Sequence, residues 1–207
     1  ASLPLSAILQ SGDSGLVAGE EFTTGDLQEL ALISSSNDAA FALGAAVGGA
    51  LGNQDPTDQF IAGMNIRAEE LGLDSLLFKN TTGLDLSTSE PGAIGTAKDV
   101  SFLMEYIIEN YPELLDATTQ QNTRVYNTNG EYHDAFNTNE IVSNIPNLLG
   151  SKTGYTDLAG GNLTIAFDLG LNRPVVITVL GSTRDGRFDD IQTLVKAVQN
   201  TVTTTTN

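Results

Sequence analysis

The chain has no cysteine and no tryptophan, one histidine (His133) and only four lysines (Lys79, Lys98, Lys152 and Lys196) among 207 residues. Without cysteine there is no disulfide, no thiolate nucleophile and no thiolate-ligated metal. The lone histidine restricts a Ser-His-Asp triad to His133. It lies in a polar stretch with Glu131 and Asp134 and reads as a solvated side chain, and no Gly-x-Ser-x-Gly elbow accompanies it, so a triad hydrolase is rejected. A metal site needs three or four ligands, and this segment offers only a weak set, so no metal is assigned. Positive charge is scarce: nine Lys and Arg against 26 Asp and Glu leave a net charge of -17. That charge disfavours nucleic acid and anionic membrane as partners, and an anionic ligand would need a local positive pocket. No run approaches the roughly 18 apolar residues that cross a bilayer, and no signal peptide opens the chain.

What is present describes a globular domain, 40% hydrophobic and 17% charged, and long enough to bury a core. One domain is expected over residues 1–200, with a low-complexity tail at 201–207. Leu3, Leu5, Ala7 and Leu9 alternate as in a strand. This stretch reads as the middle of something, so the natural N-terminus is expected upstream. A loop follows at Ser11-Gly12-Asp13-Ser14-Gly15. Thr23-Thr24-Gly25-Asp26 has the form of a capping box and opens a helix with Leu27, Leu30 and Ala31 on one face. Ser34-Ser35-Ser36-Asn37-Asp38 interrupts it, and Asn37 or Asp38 is expected to cap the next helix. That helix, about Ala39 to Leu51, is built of small residues, which places it in close packing near the centre. After a break at Gly52-Asn53-Gln54-Asp55-Pro56, Thr57 is expected to cap a third helix carrying Phe60, Ile61, Met64, Ala68 and Leu71, closed by Gly72. A second box, Thr96-Ala97-Lys98-Asp99, starts a helix with the stripe Val100, Leu103, Met104, Ile107, Ile108 and Tyr111, ended by Pro112. The region from about 24 to 112 is therefore mainly helical. Residues 116–147 read as two short strands and a long loop, turning at Asn129-Gly130. Strands at Asn162–Leu169 and Pro174–Leu180 join through Gly170-Leu171-Asn172, and a last helix, about Arg187 to Val198, points Phe188, Ile191, Leu194, Val195 and Val198 inward.

The chemistry concentrates in Gly150-Ser151-Lys152-Thr153-Gly154-Tyr155-Thr156, where a scarce cation sits in an extended run beside two hydroxyls and is followed by Gly160-Gly161, read as ending the strand in a turn. Lys152 and Gly154 share a face of such a strand, and the glycine leaves room for a ligand to lie close. The plainer reading is an edge strand with a solvated lysine. Ser151 and Lys152 point to opposite faces and make a poor dyad. Ser35 and Asn37 can both project from the short junction between two helices, or can simply be caps.

Taken together, Ser35-Ser36-Asn37 and Lys152-Thr153-Gly154 resemble the second and third motifs of the penicillin-recognising serine enzymes. The closer resemblance is to the low-molecular-weight D-alanyl-D-alanine carboxypeptidases, peptidase family S11. It extends over Gly19-Glu20, Met64-Asn65, Leu71-Gly72, Phe78-Lys79-Asn80, Gly83-Leu84-Asp85 and Ala159-Gly160. The family's first motif, Ser-x-x-Lys, is absent, since no serine here has a lysine three residues later.

The resemblance implies an α/β fold of the β-lactamase/DD-peptidase type. An antiparallel sheet of the N-terminal and C-terminal strands would be flanked by helices beside the helical region, without the N-terminal nucleophile helix. It implies a serine-type carboxypeptidase acting outside the cytoplasm on peptidoglycan stem peptides ending in D-Ala-D-Ala, inactive as this chain, with β-lactams as ligands if the nucleophile is supplied. No cofactor is implied. By resemblance, Ser35 transfers a proton to the leaving amine, Asn37 meets the substrate amide and Lys152 supplies positive potential. Thr153 binds the terminal carboxylate, Gly154 leaves the ligand room, and the Tyr155 N–H is an oxyanion donor. Arg184 is a second carboxylate ligand, with Arg187 competing for that position. A non-catalytic peptidoglycan-binding homologue is the alternative. A class A β-lactamase fits less well, because neither Glu113-Leu114-Leu115-Asp116 nor Glu140-Ile141-Val142-Ser143-Asn144 matches its deacylation loop. An apolar groove is expected against Ala39 to Leu51, to be filled by an upstream segment or a second copy in a homo-oligomer.

Overall fold

Side chains that accept from unpaired backbone N–H groups set where each helix begins. The protein is described from a computed structural model covering residues 1–205 except Asp13 and Asn53; those two, which fall in the expected loop at 11–15 and the expected break at 52–56, and Thr206 and Asn207 of the expected tail lie outside the described residues. Helix α1 (Thr24–Ile33) opens on the anticipated reciprocal box: the Thr23 hydroxyl accepts from the Asp26 N–H, and the Asp26 carboxylate accepts from the Thr23 N–H. Helix α2 (Asn37–Leu51) is capped by Ser36, not by Asn37 or Asp38, because the Ser36 hydroxyl accepts from the Ala39 N–H at 3.1 Å. Helix α3 (Pro56–Glu70) starts on Asp55 rather than Thr57. The Asp55 carboxylate accepts from the N–H groups of Thr57 and Asp58, and Pro56 fills the first position, where its missing N–H costs nothing. Thr96 caps helix α4 (Ala97–Asn110), but Asp99 turns its carboxylate to the Ser75 N–H at 2.9 Å, so this box is only half made.

The small residues of α2 do bring it close to its neighbours. A Cβ at Gly48 would lie 1.7 Å from the Pro56 carbonyl oxygen, and one at Gly44 would lie 2.6 Å from Thr81 Cγ2. Ala39 and Ala42 join Leu27, Leu30, Ile33, Phe22 and Leu3 in the core of this half. Two short strands, β1 (Leu77–Phe78) and β2 (Ala93–Ile94), are tied to α3 by Asn65, whose side chain donates to the Phe78 carbonyl and accepts from the Phe78 N–H, both at 2.8 Å.

The first residues do not form the expected strand. Ser2 makes a single bridge to Glu21, and residues 5–9 run in turns closed by Ala7 N–H to Pro4 carbonyl and Gln10 N–H to Ala7 carbonyl bonds. Leu3 and Ala7 are buried, whereas Leu5 and Leu9 face solvent, so the alternation does not mark one packed face. The two strands anticipated in 116–147 are β3 (Asn122–Tyr126) and β4 (Tyr132–Phe136), an antiparallel ribbon turning at Gly130 with φ +85°. Val125 and Ala135 enter the core from its inner face. His133, also on that face, is not solvated: its Nε2 lies 2.8 Å from Glu20 Oε1 and its ring packs near Phe22.

The main sheet has the order β5 (Leu148–Thr156), β6 (Gly160–Asp168), β7 (Pro174–Ser182), all antiparallel, and among the described residues no N-terminal strand joins it. Gly160 and Gly161 open β6 instead of closing β5; a Cβ at Gly161 would lie 2.1 Å from the Thr183 carbonyl oxygen at the end of β7. The outer side of β5 is covered by a 3-10 helix, Pro112–Thr119, through the Ser151 N–H to Thr118 Oγ1 bond. Among the described residues, no strand pairs with the outer edge of β7. Helix α5 (Gly186–Thr205) is longer than predicted and carries the expected tail as helix to Thr205. It buries Phe188, Ile191 and Val195 on Leu163, Ile165 and Phe167, while Leu194, expected inside, is exposed. Helix α4 covers the opposite sheet face, where Met104 meets Ala166. The result is an antiparallel sheet flanked by helices beside a mainly helical region.

Candidate active-site cleft

Where α1 ends, Ser34 and Ser36 both direct their N–H groups to the Leu30 carbonyl, and between them Ser35 takes φ +55°. A non-glycine residue in the left-handed region is strained by about 1 kcal/mol, and such strain collects at functional positions. The conformation aims the Ser35 hydroxyl at β5. Lys152 Nζ donates to Ser35 Oγ at 2.7 Å across 117 residues of sequence, and to the Thr153 carbonyl at 2.7 Å. The Lys152 side chain as a whole is only partly buried along the cleft, but its ammonium is enclosed. Burial, with the Arg187 guanidinium nearby, lowers its pKa from 10.5 to about 8.

These groups sit at the polar end of a cleft of about 820 Å³. Its other walls are largely apolar, from Leu76, Phe78, Ile94 and Val100 on the helical side to Leu158 and Leu180 on the sheet side. Ser35, Asn37, Lys152, Thr153, Gly154 and Tyr155 all line it, so the two stretches singled out in the sequence converge in one place. Thr153 is nearly buried, and its hydroxyl lies 2.6 Å from that of Thr138, a residue sequence reasoning did not identify; nothing in the polar loop around it distinguishes it. A Cβ at Gly154 would meet only Asn162 Cβ, at 3.8 Å, so the protein side does not require glycine there. Asn37 donates its amide to the Ser11 carbonyl at 2.7 Å. The neighbouring Asp38 is buried, takes a bond from the Ser14 hydroxyl, and keeps its Oδ1 without a partner.

Of the two arginines, Arg184 does not line the cleft; it stacks 5.2 Å over the Tyr155 ring. Arg187 is the one behind the strand. It is 7% exposed, donates from Nη1 to the Gly154 carbonyl at 2.8 Å, and leaves Nε unpaired. Because a peptide group is planar, holding the Gly154 carbonyl also fixes the Tyr155 N–H, which points the opposite way. The expected groove along α2 is short: only Asn37 and Ala40 of that helix line the cleft, and Gly44 and Gly48 are closed off by Thr81, Phe60 and Pro56. Among the described residues no three His, Asp or Glu side chains converge as metal ligands, and no helix is long and apolar enough to cross a membrane.

The sequence profile of the D-alanyl-D-alanine carboxypeptidases, peptidase family S11, matches residues 8–184. The D-alanyl-D-alanine carboxypeptidase DacF of Bacillus subtilis is 31% identical over 169 residues, which is 81% of this chain and 40% of that protein. DacC of Escherichia coli is 32% identical over 182 residues, 86% of this chain and 41% of the relative. The chain thus spans about half or less of the length of these relatives. Among solved structures, a penicillin-binding protein of Listeria monocytogenes in its ampicillin-bound form is 29% identical with a TM-score of 0.72, covering 95% of this chain and 72% of that one. A Streptomyces DD-transpeptidase mutant superposes with a TM-score of 0.78 at 21% identity, covering 95% of this chain and 78% of that one, a likeness of fold.

Proposed function

Because the chain belongs to the D-alanyl-D-alanine carboxypeptidase family, we propose that its cleft receives the D-Ala-D-Ala end of a peptidoglycan stem peptide outside the cytoplasm. The observation that carries this reading is the 2.7 Å contact of Lys152 Nζ with Ser35 Oγ, which assembles a cationic, proton-exchanging end in a largely apolar cleft. In this reading Lys152 supplies positive potential and the Thr153 hydroxyl takes the substrate's terminal carboxylate. Arg187, lying behind Gly154, contributes to that potential more directly than Arg184. Asn37 meets the substrate amide, and the Tyr155 N–H is one oxyanion donor. A lysine that titrates near 8 exchanges protons readily at mildly alkaline pH, so Ser35 can relay a proton to the leaving amine.

Cleavage in the family reading begins with a Ser-x-x-Lys serine, which forms an ester with the penultimate D-Ala and releases the last one before water hydrolyses the ester. None of the 207 residues supplies that pair. In this reading the chain therefore binds the peptide without cleaving it, and takes β-lactams covalently only if the serine is provided. The apolar remainder of the cleft, beside Ala31 and Ala40, is where an upstream segment or a second copy would seat.

The test is calorimetric titration with diacetyl-L-Lys-D-Ala-D-Ala, together with an assay for released D-alanine. We expect saturable binding, at least tenfold loss in Lys152→Ala, and no D-alanine. Equal binding of the L-Ala-L-Ala isomer, or an unaffected Lys152→Ala variant, would sink the reading; release of D-alanine would overturn the binding-only part.

A further inference from the structure

The outer face of the β3–β4 ribbon carries three rungs that the core does not use. The register pairs Tyr126 with Tyr132, Arg124 with Asp134 and Asn122 with Phe136, and all six side chains are exposed. The two tyrosine rings lie 6.1 Å apart and tilted. Arg124 lies 4.4 Å over the Tyr132 ring and bonds Asp134 at 3.0 Å. Phe136, at 65% exposure, ends the row. With strand residues rising about 3.3 Å each, the rungs span about 13 Å. The ribbon does not rest on these rings alone, because Val125 and Ala135 anchor its other face in the core.

Half-exposed aromatic rings alternating with groups that both donate and accept hydrogen bonds suit a particular ligand. The C–H faces of a pyranose pack on aromatic rings while its hydroxyl and acetamido groups bond side chains such as Arg124, Asp134 and Asn122. A protein interface would enrich the same Tyr, Phe and Arg, but its core is depleted of carboxylates, and here Asp134 and its ion pair with Arg124 occupy the middle rung. A nucleic acid is disfavoured by the net charge of -17. The platform also leads to the cleft: two residues beyond Phe136, the Thr138 hydroxyl lies 2.6 Å from that of Thr153.

We propose that this ribbon face is a sugar-binding platform that takes a β-linked N-acetylhexosamine chain, the glycan from which a stem peptide hangs. The identity of the glycan rests on the function proposed above; the sugar-binding face does not.

The experiment titrates the 207-residue chain with chitotetraose by calorimetry and sediments it with glycan strands stripped of peptide by an amidase. The expected result is binding of both by the wild type and at least about a tenfold loss in Tyr126→Thr/Tyr132→Thr, with the circular dichroism spectrum and Tm kept. Tyr126→Phe/Tyr132→Phe should retain binding, because the rings and not their hydroxyls carry it. Lys152→Ala should bind glycan as the wild type does, whereas the threonine variant should bind the D-Ala-D-Ala peptide normally. The proposal is overturned if the wild type binds neither glycan, if the threonine variant binds both unchanged, if Lys152→Ala abolishes glycan binding, or if the threonine variant's only change is loss of a dimer. Glycan binding without D-Ala-D-Ala binding would defeat the function reading and leave the platform standing.

Discussion

Replacing Lys152 with methionine should make the protein more stable at neutral pH and less stable at high pH. The folded-state pKa is about 8 against 10.5 for a free lysine, and at 1.36 kcal/mol per pH unit the enclosed ammonium costs about 3 kcal/mol when protonated. Sign follows from proton counting: between about pH 8 and 10.5 the unfolded chain holds a proton that the folded chain has lost, so wild-type stability rises through that window. Below it the burial cost is present in full, and above it the cost is gone. Lys152→Met removes the cost but also breaks the bonds to Ser35 Oγ and the Thr153 carbonyl, a loss of about 2 kcal/mol. The variant should therefore gain about 1 kcal/mol at pH 7, or about 3 °C in Tm for a chain of this size. It should fall below the wild type by about 2 kcal/mol near pH 10.5. Urea midpoints of both proteins from pH 6 to 11 decide the matter. A stability difference that is flat with pH would refute the enclosed-ammonium reasoning, whatever its sign. A stabilised variant that binds no peptide would show strain stored at a site for function.

Two further outcomes follow from packing and charge. Gly48→Ala should cost at least about 3 kcal/mol or prevent folding, because its Cβ would overlap the Pro56 carbonyl, while Gly49→Ala, with nothing nearer than 3.9 Å, should be neutral or stabilising by about 0.5–1 kcal/mol; equal melting temperatures for the pair would contradict the close α2–α3 approach. Burial pushes the Glu20 carboxyl upward, but bonds from the Val17 N–H, His133 and Asn127 outweigh it and hold the group below the usual carboxylate range. Glu20 therefore stabilises the fold above about pH 4.5 and ceases to as pH falls through its folded-state pKa. Glu20→Gln should be less stable than the wild type at pH 7, with the gap closing below pH 4.5; a gap that persists undiminished at pH 3 would count against it.

Local chemistry was the legible part of this protein. Thr23, Thr96 and Asn129-Gly130 announce element boundaries through bonds made within a few residues, and the structure honours all three. Asp55 and Ser36 displaced the expected caps by one or two positions, because several neighbouring side chains could have accepted the same N–H groups. Leu3 to Leu9 misled because a short alternation resembles a strand whether or not its leucines all find a partner, and only Leu3 does. What depends on distant residues could not be read. The partner of His133 is 113 residues away, and Thr138 became part of the cleft only when the loop after β4 closed on Thr153. Alternation along β5 separates Lys152 from Thr153, yet both reach one cleft, which only the family resemblance anticipated. Arg184 and Arg187 are three residues apart, and which one reaches the Gly154 carbonyl was decided by where α5 begins.

The outer edge of β7, which no strand pairs with among the described residues, bears on how copies of this chain behave in solution. Its nine residues, Pro174–Ser182, include no charged side chain, and Pro174, which cannot donate, guards only one end. Most natural sheets blunt such a margin with lysine, a bulge or a covering element. In β7 the register slips by one residue opposite Gly161–Leu163, with Gly181 at φ +72°, so a bulge disturbs its far end. Along the stretch between, that duty falls on the net charge of -17, whose repulsion reaches roughly 10 Å at 0.1 M salt and only about 3 Å at 1 M. Colloidal stability along that stretch is thus borrowed from net charge, and lost with ionic strength, rather than built into the strand. A low-salt buffer keeps molecules apart, and a salting step removes the barrier that the sheet itself does not provide.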